Sequence, residues 1–207
     1  MNLDTRSEAD RLVAAALAAD AQGDASAFVD LLRRCLALDP LHVQAHYLLG
    51  ADCAQDGRNG DAILHLSTAV EHAPGLAPAR LQLGLLWLST GNPRTAQQVL
   101  APLAALPDDD VVGRFGVALS ALAGNDIAAA RAALHEALAL PCDHPAMLAD
   151  IRTVLARLEP VGEEESARNP GPGTGAVQAG ADPDAERQAL QLGLALSAYA
   201  DRDPGAR

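Results

Sequence analysis

Four segments of the chain, RRCLALDP, STAVEHAP, APLAALPD and HEALALPC, stand in one register: Cys35, Ala69, Leu103 and Ala137 follow each other at steps of 34 residues. The same step aligns Phe28, Ala62, Ala96 and Ala130, then Leu32, Leu66, Leu100 and Leu134, then Ala16, Gly50, Gly84 and Ala118. A unit this short cannot bury an apolar face by itself, so units must stack and share one continuous core. The repeat therefore points to an array and away from a closed globular domain.

The residue types within each unit say what it is made of. Hydrophobic residues are 49% of the chain but aromatics only 2%, so Ala, Leu and Val dominate, which suits closely packed helices. Gly23, Gly57 and Gly91, with Asn125-Asp126 in the fourth unit, offer a turn between two helices, and Pro40 and Pro74 end the second helix. Gly50 and Gly84 carry no side chain and let a neighbouring helix come close, as do Ala62, Ala96 and Ala130 from the second helix.

On these residues the chain resembles the tetratricopeptide repeat, a 34-residue helix–turn–helix unit with an L-G pair, small residues at the helix crossing and a closing proline. Residues 43–76 carry the best copy, with Leu49-Gly50, Gly57, Ala62, Ala69 and Pro74. Residues 77–110 follow with Leu83-Gly84, Trp87, Gly91-Asn92 and Ala96; residues 9–42 have Ala15-Ala16 and residues 111–144 have Val117-Ala118 in place of the pair. The resemblance implies an all-α fold, a right-handed α-α superhelix of four units.

Three features lie outside the repeat. Pro102 falls inside the second helix of the third unit, where proline costs about 3 kcal/mol relative to alanine, so that helix is expected to be kinked or cut short. Residues 145–159 read as a capping helix, with Met147, Leu148, Ile151, Val154, Leu155 and Leu158 apolar and Arg152 and Arg157 outside. Residues 160–183 lose all periodicity and fill with Gly, Pro, Ala and acid, the composition of a flexible linker. Residues 184–200 regain a helical pattern and repeat LQLGL from residues 81–85.

The net charge is −12 and all 15 basic residues are arginine, scattered along the chain, so neither nucleic acid nor an anionic membrane is an expected partner. No run approaches the ~18 apolar residues of a membrane span, so no membrane insertion is expected. No apolar leader follows the polar start MNLDTRSEADR, and the odd count of three cysteines suits a reducing compartment; cytoplasmic residence is the expectation. No P-loop, GxSxG or GxGxxG is present, and without lysine there is no Schiff base. His42 and His46 stand four apart like a helical metal pair but without the rest of such a motif, and Cys142 and His144 flank a turn without defined oxyanion donors. No cofactor, metal or catalytic role is expected, and the chain is not read as an enzyme.

Function therefore falls to binding. The resemblance implies a concave groove lined by the first helix of each unit: Val13 and Leu17, Tyr47 and Ala51, Leu81, Leu85 and Leu88, and Phe115, Leu119 and Leu122. The basic and amide side chains that clamp acidic chaperone tails in related domains are missing from these places, so the groove is apolar and suited to an apolar or amphipathic segment of a protein or peptide. The same side chains would equally serve packing within the stack, and the sequence leaves both readings open. Within the chain, Leu190, Leu192, Leu194, Leu196 and Tyr199 form a stripe wider than a solvated helix exposes, a candidate ligand in cis or in a swapped homodimer. The expectation is an interaction module, a scaffold or a secretion-type chaperone similar to the small acidic chaperones of bacterial type III translocators. The alternative is a regulatory or accessory subunit of an enzyme encoded elsewhere.

Overall fold

The computed structural model describes residues 3–158, and these are all-helical. In chain order they form α1 (Leu3–Ala21), α2 (Ala25–Leu38), α3 (Val43–Gln55), α4 (Asn59–His72), α5 (Ala77–Ser89), α6 (Pro93–Leu100), a 3-10 turn (Ala101–Ala105), α7 (Val111–Ala123), α8 (Ile127–Ala139) and α9 (Pro145–Leu158). The starts of α3, α5, α7 and α9, at residues 43, 77, 111 and 145, keep the 34-residue step, as do those of α4, α6 and α8 at 59, 93 and 127. The first helix begins at Leu3, ahead of the register start at residue 9.

The turn inside each unit shows why the step is so regular. Gly23, Gly57, Gly91 and Asn125 all take positive φ, between 59° and 77°. That left-handed position strains most side chains, and glycine and asparagine are the residues that tolerate it. At each, the next amide reaches five residues back: Asp24 to the Ala19 carbonyl, Arg58 to Cys53, Asn92 to Trp87 and Asp126 to Ala121, at 2.8–3.0 Å. These bonds close one helix, and Asp24 and Asp126 open the next by accepting from Ala27 and Ala129 N–H.

Neighbouring helices pack in chain order, with α5 also against α3 and α7. Gly84 sits where α5 crosses α6: a Cβ there would lie 2.5 Å from Leu100 Cγ, and one at Gly50 would lie 2.7 Å from Leu66 Cγ. The core forms two clusters. One gathers α1 to α4 with Ala79, Leu83 and Leu86 of α5; the other gathers Leu81, Leu85 and Leu88 of α5 with α6 to α9, and Trp87 packs against both. The LQLGL segment is thus the partition of the core, its leucines alternating between the two sides.

Pro102 acts as its chemistry requires: α6 stops at Leu100 after eight residues, and the 3-10 turn carries Leu103 into the core against α7, over Gly113 and Gly116. A helix, α9, stands where the capping helix is expected, burying Met147, Ile151, Val154 and Leu155 and exposing Arg152 and Arg157. Arg152 stands at the register place of Gly50, Gly84 and Ala118 and is exposed. The expected linker at 160–183 and helix at 184–200 lie outside the described residues.

Candidate functional site

The first turns of α3 and α5 lie one repeat apart and each is preceded by a loop that bends back on itself. His42 N–H donates to the Asp39 carbonyl and Leu76 N–H to the Ala73 carbonyl, at 3.1 and 2.9 Å. The extra length of α1 lies alongside, and between them opens a cleft of about 450 Å³. Leu41, Tyr47, Leu76 and Pro78 supply apolar wall, while Arg6, Asp10 and Asp39 supply charge. Leu41 is 54% exposed.

His42 ties the walls together. Its Nε2–H donates to Asp10 Oδ1 on α1 at 3.0 Å, and its Nδ1 accepts the Ala45 N–H at 3.3 Å, capping α3. That leaves Nδ1 unprotonated and fixes the tautomer. Burial holds the Tyr47 phenol well above its usual range, so the ring enters the site as a neutral apolar body. The exposed Arg6 has no ion pair among the described residues, whereas the two aspartates tip the rim negative.

A second set of bonds holds each loop against its unit, and it too repeats. His46, Arg80 and Arg114 stand one step apart on α3, α5 and α7, and each donates to the backbone carbonyl six residues earlier: Pro40 at 2.9 Å, Pro74 at 3.0 Å and Asp108 at 3.2 Å. Each also reaches the second helix of its unit. His46 Nδ1 meets His65 Nδ1 at 2.9 Å, Arg80 bonds the Val99 carbonyl at 3.1 Å and Arg114 pairs with Glu136 at 3.4 Å. Arg114 further pairs with the Asp108 carboxylate. Nothing in the hydrophobic register announces this column.

Of the ten groove residues expected from the sequence, Val13, Tyr47, Ala51, Leu81, Leu85, Leu88, Phe115 and Leu119 are buried, and Leu17 and Leu122 are half-buried. Only Tyr47 lines the cleft. Val13, Leu81, Leu85, Leu88, Phe115 and Leu119 belong to the two core clusters, because a first helix between two neighbours has apolar contacts on both flanks. The cleft instead recruits Arg6, Asp10, Leu41, His42, Gln44 and Leu76, which the sequence reading did not select. Leu190, Leu192, Leu194, Leu196 and Tyr199 lie outside the described residues.

His42 and His46 do not converge, since each ring is committed to a different partner. Among the described residues no three His, Cys, Asp or Glu side chains are placed to hold a metal ion. Burial, with Asp39 and Asp10 adding to it, pushes the Cys35 thiol up to about 11, so it stays a neutral core group. Cys142 meets the His144 backbone, its Sγ 3.4 Å from that amide nitrogen. No helix among the described residues is long and apolar enough to cross a membrane. No protein-family model matches the chain, and no curated protein matches it at a significant level.

Proposed function

We propose that the chain is an interaction module of tetratricopeptide type, four two-helix units and a cap wound as a right-handed superhelix, that holds an apolar or amphipathic protein segment without transforming it. The fold part of this reading is supported by the 34-residue spacing of helix starts and by the left-handed residue at the same place in every unit. The functional part is carried by one observation: the cleft between α1 and the starts of α3 and α5, with Leu41 exposed and Tyr47 beneath it.

The proposed occupant is the chain's own segment 184–200, which makes the module self-occluded until a competing segment displaces it. Its leucine stripe needs a partner, and the 25 residues between Leu158 and Asp184 span about 27 Å as a coil, the width of a few packed helices. A scaffold or a chaperone for a hydrophobic secreted protein would both work this way.

The reading is tested with a fluorescent peptide of residues 184–200. A chain ending at residue 183 should bind it saturably and take up more of a hydrophobic dye than the full chain, and the Leu41→Asp/Leu76→Asp variant should lose the peptide. Absence of saturable binding, with dye uptake and oligomeric state unaltered by the truncation, would refute it.

A further inference from the structure

Four of the six histidines of the chain fall between residues 42 and 72, and three of them are bonded into the second unit at places where other units use a group that does not titrate near neutrality. His42 caps α3 where Asp110 caps α7 by accepting the Gly113 N–H at 2.9 Å. His46 anchors its loop where Arg80 and Arg114 anchor theirs. His65 stands one step before Val99, whose backbone carbonyl serves the same cross-link to Arg80.

The proton inventory of this set follows from its partners. The Pro40 oxygen can only accept, so His46 Nε2 carries a proton. The 2.9 Å contact between His46 Nδ1 and His65 Nδ1 holds one proton and no more. With His46 neutral, that proton belongs to His65, which donates. Once both rings are protonated no acceptor remains at this contact, and two cations stand with ring centroids 5.1 Å apart and planes tilted by 45°. Protonating His42 at Nδ1 likewise abolishes the acceptor for the Ala45 N–H. Protonating His42, the residue that caps α3, places positive charge at that helix's N-terminus, where the helix dipole opposes it.

We propose that His42, His46 and His65 form an acid-sensitive latch that keeps the Asp39–His42 wall of the cleft in place while the rings are neutral and releases it when they are protonated. The inference concerns regulation of the site and rests for its meaning on the binding role above, but the latch itself is measurable without any ligand. The groups bearing on the rings are few. His46 on α3 and Arg58 at the start of α4 oppose the charged form of His65, whereas Asp61 on α4 favours it; Asp10 on α1 is bonded to the His42 ring. The hydrogen bonds of the His46 ring run to His65 on α4 and to the Pro40 carbonyl of the loop before α3. Burial first, and the neighbouring ring second, hold His65 below the usual imidazole range. A depressed imidazole adds stability that is complete above its unfolded value near 6.5 and is lost as the pH falls below that value.

The test uses the full chain and two single variants. His46→Arg installs the anchor of the next two units, and His65→Gln keeps a donor for His46 Nδ1 without a titrating ring. Hydrogen exchange of the amides at 41–46 is compared at pH ~7.5 and ~5.5, each variant against the parent at the same pH. The parent should show roughly fivefold more acid-induced loosening of these amides than either variant, the effect of one weakened hydrogen bond. Equal loosening in parent and variants overturns the latch. Should His46→Arg fail to fold, His65→Gln and the imidazole 15N spectrum of the parent decide: a protonated His46 Nδ1 at neutral pH also overturns it. If peptide binding fails while the latch behaves as stated, the binding role falls and the latch stands.

Discussion

Alanine in place of glycine is expected to destabilise this protein at one helical position and stabilise it at another, and the structure gives the sign of each. At Gly84 the new methyl would sit 2.5 Å from Leu100 Cγ, about an ångström closer than carbon atoms tolerate. Leu100 is buried to 1% and surrounded by core, so it cannot swing aside without moving α6 against α5. Overpacking of this kind costs about 1–3 kcal/mol, against which the better helix propensity of alanine returns about 1 kcal/mol. The expected net loss is roughly 1 kcal/mol, or about 2–4 °C in Tm for a chain of this length. Gly60, in the first turn of α4, has nothing within 4 Å of the added atom, so Gly60→Ala keeps the propensity gain and should raise Tm. Urea unfolding followed by the single tryptophan, Trp87, reads both, because that side chain packs against both halves of the core. A Gly84→Ala variant as stable as Gly60→Ala would refute the close-crossing argument.

Asp126 accepts the Ala129 N–H at 3.0 Å, and Asp126→Ala should cost about 1 kcal/mol, seen as a lower urea midpoint with an unchanged slope. Asp150 on α9 has one carboxylate oxygen buried without a hydrogen-bond partner, and burial pushes its carboxyl up from 3.8 to about 6. A raised acid favours the fold below its unfolded value and loses that contribution as pH rises through the folded one. Asp150→Asn should therefore melt higher than the parent at pH ~7, with the gap closing below pH ~4; thermal scans at both values check it.

What the sequence determined by itself is the register. Turns at residues 23, 57, 91 and 125, helix starts at 43, 77 and 111, the shortened helix at Pro102 and the capping helix after residue 144 all depend on local chemistry. A left-handed residue, a missing backbone donor or a capping carboxylate acts within a few positions of itself, so one dimension suffices to see it. What only the tertiary structure decided is which apolar flank faces what. Leu81, Leu83 and Leu85 are alike as letters, yet alternate between two clusters because α5 lies between helices on either side. The cleft joins residues as far apart as Arg6 and Pro78, and His42 and His46, four apart in the sequence, turn their rings to different helices. These outcomes depend on where neighbouring helices stand, and helix packing is set by the summed shape of many side chains, which no single stretch of sequence contains.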